Sequence, residues 1–268
     1  MKYLLLTIAA MALTVPQARG FSNSDLEKLR STRACVKCDL KGVRLAGADL
    51  SGVDLRGAKL REAELKGANL TGANLERADL RRANLEKSIM NGAKLRGAQL
   101  SGVDLKKAAL RNADLTGAVL RDADLENVKM DGALLVGADL RQAVFKRGHM
   151  AGADFSGAAL DGADMERAKL RGAKFRKADL KEADLERADL TDADLGEADL
   201  RRTKMVRVDL TRANLVGAAM ANVILRLANL SGANLTGVKG LTQKSISGAC
   251  GNAATILPAG LTVGPCRH

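Results

Sequence analysis

A solenoid is the fold class this sequence predicts, and three observations predict it. From residue 40 to residue 235 every fifth position is Leu, Met or Phe, 40 positions without a break. Two residues before each lies a small residue, mostly Ala (Ala58, Ala63, Ala68), with Val43, Val53, Ser88, Gly148 and Thr203 among the variants. Just before the large residue, Asp or Asn dominates, as in Asp49, Asp54, Asn69, Asn74 and Asp79. A period of five fits neither regular element. On an α-helix five residues turn roughly 500°, so successive leucines would lie about 140° apart and form no apolar stripe. On a flat strand an odd period sends them to alternate faces. The chain must bend once per repeat, so that stacked repeats share a tube of large apolar side chains and turn their polar residues outward.

The units Ala48-Asp49-Leu50-Ser51-Gly52, Ala68-Asn69-Leu70-Thr71-Gly72 and Ala78-Asp79-Leu80-Arg81-Arg82 resemble the Ala-(Asp/Asn)-Leu-x-x motif of the pentapeptide-repeat proteins. The resemblance covers about three quarters of the chain. It implies an all-β fold, a right-handed quadrilateral parallel β-helix with four repeats per coil and about ten coils. At the usual ~4.8 Å between hydrogen-bonded strands, that rod is about 48 Å long. Period alone requires one bend per repeat; the four-sided count comes with the resemblance.

Four segments follow in order. Residues 1–20 read as a secretory signal peptide: Lys2 gives a positive start, Tyr3 to Val15 an apolar stretch, and Ala18-Arg19-Gly20 a small-residue cleavage site before Phe21. The apolar stretch is too short to cross a bilayer, so no membrane span is expected after cleavage. Removing Lys2 and Arg19 lowers the formal charge from +12 to +10. Residues 21–38 form an N-terminal cap. Within it Ser22 to Ala34 reads as a short helix, with a Ser24-x-x-Glu27 capping box and Leu26 and Leu29 on one face. Residues 39–238 are the repeats. With 28% charged and 2% aromatic residues in the whole chain, the composition fits one elongated domain with a narrow aliphatic core. At Gly240 the rule fails, and 239–268 form a C-terminal cap: a Thr242 helix start, then a looped tail through Pro258 and Pro265.

Four cysteines sit at the two ends. Cys35 and Cys38 occupy the large and small registers and should point inward. A redox pair lacks a thioredoxin-like context, and a zinc half-site lacks a second pair nearby. A structural disulfide or two buried thiols remain, and an oxidising compartment favours the disulfide. On the rod that the resemblance implies, bridges within reach are Cys35–Cys38 and Cys250–Cys266, because the two pairs lie at opposite ends.

The sequence offers little for catalysis and nothing that implies a cofactor or metal. Its histidines are His149, in an outward register, and the terminal His268. The acidic run Asp179, Asp184, Asp189, Asp194 and Asp199 would fall on different sides of the coil, so it reads as turn-stabilising acceptors in preference to a calcium site. Sorted by twentieths, Lys87, Lys107, Asn127, Arg147, Arg167, Arg187 and Arg207 form one corner column. Lys41, Arg61, Arg81, Ser101, Arg121, Arg141, Asp161, Lys181 and Arg201 form another, and the face with Ser51, Thr71, Thr191, Thr211 and Ser231 is nearly neutral. Lys87, Lys107, Arg147, Arg167, Arg187 and Arg207 are candidate anion-binding residues.

From residue 39 to 237 there are 34 basic and 29 acidic residues, a net of only +5. The expectation is therefore a periplasmic or secreted, non-enzymatic structural or interaction scaffold with an unknown protein partner. The alternative is a binder of anionic envelope polymers (acidic glycan, lipopolysaccharide or nucleic acid). Some relatives of this motif inhibit or protect DNA gyrase by mimicking DNA; a basic, exported chain argues against that partner.

Overall fold

The computed structural model describes residues 20–266; the expected signal peptide, apart from Gly20, lies outside them. Each repeat makes one tight turn. The carbonyl of the large residue accepts the N–H three residues on, as Leu65 does from Ala68 at 2.9 Å. The second turn residue takes positive φ (Gly52 at 63°), the requirement of a type II turn. The residue before the large one then pairs in parallel with its equivalent 20 residues later: Asp49 with Asn69, Asn69 with Ile89. That offset measures four repeats per coil, the number the period left open.

Three backbone bonds per repeat tie a coil to the next. Leu50 N–H donates to Asn69 O at 2.7 Å, Asn69 N–H to Ala48 O at 2.9 Å and Gly52 N–H to Thr71 O at 2.8 Å. Strand-like contact is thus confined to single bridges between bends. The large and small registers both point inward and are buried almost throughout. Ser88 and Thr203 are the buried polar residues of the small register. Thr203 donates its hydroxyl to Leu180 O at 2.9 Å, whereas the Ser88 hydroxyl has no partner. The tube is widest in chemistry around residues 145–175. Phe155 and Phe175 stack one coil apart at 4.9 Å, and Phe145 meets Phe155 edge-on at 6.1 Å. Gly148 belongs to this adjustment, since a Cβ there would lie 3.1 Å from Met150 Cε and 3.0 Å from Phe145 O.

At the first coil lies α1 (Asn23–Thr32), with Leu29 buried and Phe21 and Leu26 against the core. Its cap differs from the expected Ser24–Glu27 box. Ser22 is the N-cap, accepting from Asp25 N–H at 3.2 Å, because Ser22 is itself anchored by donating its N–H to Asp39 O at 3.0 Å. Asp25 accepts the Asp39 N–H at 2.8 Å, so the helix start is locked to the coil beneath. Cys35 and Cys38 are buried and bridged across one turn, with Cα atoms 5.3 Å apart.

At the other end α2 (Gln243–Ile246) starts at Thr242, whose hydroxyl accepts from Ser245 N–H at 3.2 Å, and buries Ile246. The tail expected as a loop extends the ladder. Asn229 pairs with Cys250 and Asn234 with Ile256, while β1 (Cys250–Gly251) pairs in parallel with β2 (Gly264–Pro265). Cys250 and Cys266 are bridged, with Cα atoms 4.8 Å apart.

Candidate interaction surface

The outward chemistry is confined to turn residues and to the bridge register, and the turns decide much of it. Lys87, Lys107, Arg147, Arg167, Arg187 and Arg207 all occupy the second turn position, with φ between 55° and 59°. A side chain there is disfavoured by roughly 1–2 kcal/mol relative to glycine, the residue many other turns use. All six are exposed. The structure brings them onto one corner, yet four are matched by acids. Lys87 lies 3.0 Å from Glu86, Arg147 2.9 Å from Glu126, Arg167 3.4 Å from Glu166 and Arg187 3.7 Å from Glu186. Hydrogen bonds from Lys66 and then Lys87 hold the Glu86 carboxyl down to about 2. Lys107 and Arg207 have no carboxylate within 4.0 Å among the described residues. The column as a whole is largely compensated.

The second column is compensated more fully. Arg81, Arg141 and Arg201 each fold back on the aspartate two residues earlier, at 2.5, 2.8 and 2.6 Å. Asp139 also accepts from Arg121 Nε at 2.6 Å, and the Arg141 and Arg121 bonds together draw its carboxyl down to about 2. These aspartates have a prior structural duty. Like Asp179, Asp184, Asp189 and Asp194, Asp199 accepts the backbone N–H two residues on, at 3.2 Å. The acidic run therefore stabilises turns, each within its own repeat.

One ladder departs from this pattern, and sorting by turns alone misses it. Asn69 pairs with Ile89, then Ala109, Lys129, His149, Lys169 and finally Asp189 follow one above another. In the other three ladders, between residues 39 and 239, no more than two successive positions lack a carboxylate. From Ile89 to Lys169 the turn acceptor is missing. The N–H groups of Arg111 and Ala151 use Asn91 and Asp131 of the preceding coil instead, at 3.0 and 3.2 Å. Lys129, His149 and Lys169 are exposed, and neither lysine has a carboxylate within 4.0 Å among the described residues. Lys107, Asn127, Lys129, Arg147 and His149 line a shallow groove. The signal was in the sequence: the Asp/Asn register, divided by face, shows one face without acids from residue 69 to residue 169.

Chemistry of other kinds finds no converged groups among the described residues. Both cysteine pairs are bridged, so the cluster of Asp25, Cys35 and Cys38 has no thiolate to offer a metal. His149 stands exposed, with lysines above and below it in the ladder and no nucleophile or carboxylate in hydrogen-bond contact.

A profile described as Pentapeptide repeats matches eight overlapping stretches, beginning at 38–77 and ending at 203–239. No curated protein matches the chain. Among solved structures it is similar to HetL, a pentapeptide repeat protein involved in heterocyst differentiation regulation from the cyanobacterium Nostoc sp. strain PCC 7120. Identity is 31%, over 81% of this chain and 91% of that one, with a TM-score of 0.51. It is also similar to a pentapeptide repeat protein of the Arabidopsis thaliana thylakoid lumen, at 31% identity over 37% of this chain and 70% of that one, TM-score 0.37. QnrB1, a plasmid-mediated fluoroquinolone resistance protein, matches at 18% identity over 62% and 91% of the two chains, TM-score 0.38. With the motif matched from residue 38 to residue 239 and the 20-residue coil in place, this chain belongs to the pentapeptide-repeat family of β-helix proteins.

Proposed function

We propose that the protein is an exported, non-enzymatic scaffold of about ten coils that binds a protein partner along one outward face. One observation carries this reading: among the described residues the recurring types serve the core or the turns, leaving an ordered surface of individually variable side chains. α1 over the first coil and the Cys250–Cys266 tail over the last serve as end caps, which a solenoid needs. Export to the periplasm or beyond is supported by the leader-like 1–20 segment and by two disulfides, which persist in oxidising compartments. No helix among the described residues is long and apolar enough to cross a membrane. HetL's regulatory involvement fits a protein that acts by contact. DNA gyrase is disfavoured as the partner, because the formal charge of +12 is opposite in sign to that of a DNA mimic.

Intact-mass measurement on native material tests the export step. A chain beginning near Phe21 in the exported fraction is expected; Met1 retained in the cytosol contradicts it.

A further inference from the structure

The stretch of this ladder from residue 69 to residue 169, which carries no carboxylate, is a second feature, independent of any protein partner. We propose that the face carrying Lys107, Lys129, Arg147, His149, Arg167 and Lys169 binds a linear acidic polysaccharide laid along the rod axis.

One departure from the repeat lies on this face, and a basic corner adjoins it. In the ladder, Lys129, His149 and Lys169 replace the Asp or Asn whose side chain elsewhere accepts a turn N–H. At the adjoining corner, Lys107, Arg147 and Arg167 hold positive φ where glycine would relax the turn. The ladder substitutions give up a turn acceptor that the repeat uses elsewhere, and the corner puts further basic groups on the same side. Sites at which a sequence breaks its own structural rule are where function is expected. The carboxylates that border the face lie at its edges: Glu126 and Glu166 hold Arg147 and Arg167, and Asp131 is taken by Arg111. Lys107, Lys129 and Lys169 are left to act on a ligand.

Geometry selects the polymer. Taking the ladder and its adjoining corner together, each coil from Lys107 to Lys169 carries at least one basic side chain, and coils repeat about every 4.8 Å along the axis. A duplex presents phosphates at about 3.4 Å per strand around a helix, which a straight line does not follow. Single strands are held largely by stacking on aromatic side chains, and Phe145, Phe155 and Phe175 are all buried in the tube. Below the basic stretch the ladder continues as exposed Ile89 and half-buried Ala109, an apolar strip suited to the C–H face of a sugar ring.

The test is fluorescence anisotropy of the full mature chain with a labelled polygalacturonate oligomer across a salt series. Binding that weakens with salt is expected. Lys129→Asn/Lys169→Asn should weaken it by about tenfold or more and reduce the salt slope by about two, one for each lysine. Asparagine is the repeat's own residue at these positions, so this variant should melt at or above the parent. Lys107→Gly, equally native to its turn, serves as an independent second variant and should weaken binding in the same direction. Lys94→Asn/Lys174→Asn makes the same charge change in a different ladder and should leave binding unchanged. The proposal is overturned by absence of salt-dependent binding, by equal losses in both double variants, or by single-stranded oligo(dT) binding as tightly as the glycan.

Discussion

At the scale of single residues, a side chain's register decides what its replacement does. Leu110 is fully buried in the tube, and Leu110→Ala should lower unfolding free energy by ~2–5 kcal/mol through the cavity it leaves. Ala113 is equally buried but has no room, so Ala113→Glu places an unpartnered charge in the core and should be at least as harmful. Thr116 lies in a turn, half-buried, and its hydroxyl makes no contact the fold depends on. Thr116→Lys should therefore change stability by less than about 0.5 kcal/mol. Thermal denaturation of the three variants checks the registers, and comparable shifts for all three would contradict them.

Acid tests the aspartates in a different way. The Asp139 carboxyl is drawn down to about 2 from an ordinary 3.8 by Arg141 and then Arg121. A depressed carboxylate contributes stability that is fully present above the unfolded value and fades as pH falls through the folded one. Melting temperature should therefore fall between about pH 4 and pH 2, and Asp139→Asn should fall less over that window than the parent. Equal losses in parent and variant would remove Asp139 from the account.

At the scale of elements, the two ends differ in how they are held. α1 is tied to the coil through Ser22, Asp25 and a buried bridge, whereas the C-terminal segment depends on pairing of Cys250 and Ile256 with the last coil and on one bridge closing a loop. A loop of that length contributes about 3 kcal/mol when closed. Cys250→Ser/Cys266→Ser should free the segment and uncover a sheet edge over Met220, Leu225, Leu230 and Leu235. Light scattering should then report dimers or longer stacks while the far-UV β signal persists. A double variant as monomeric as the parent would mean that this segment does not guard the end.

The elements also show what can be read from sequence. Inward and outward registers follow from the period of five because a tube of stacked repeats needs one apolar interior; the rod that the resemblance implies sets the two cysteine pairs at opposite ends, but whether Cys35 and Cys38 are bridged or free thiols does not follow from it. The four-sided coil does not follow from the period: any bend angle per repeat satisfies it. The helix start was legible only to within two residues, since Ser22 and Ser24 are both acceptable caps and the choice is made by Asp39 of the coil beneath. The corner lysines and arginines were legible as a column, and so were Glu166 and Glu186 beside Arg167 and Arg187; the pairing of Arg147 with Glu126 was not, because it depends on side-chain reach across coils. The Lys129–His149–Lys169 ladder was missed for the opposite reason. Its register is given over to turn stabilisation nearly everywhere else, and only the face-by-face comparison shows where that duty is abandoned.

At the scale of the whole molecule, a stiff aliphatic tube fixes the outer side chains in rows, and any selectivity must come from which rows a partner meets. The central claim is that this protein works by contact along a face. Photocrosslinking in the exported fraction tests it most directly, with a photoreactive residue placed singly at exposed outward positions on each of the four sides. The account predicts adducts to the same partner at several positions along one side and few or none on the opposite side. Adducts scattered evenly over all four sides, or none from any of them, would contradict it.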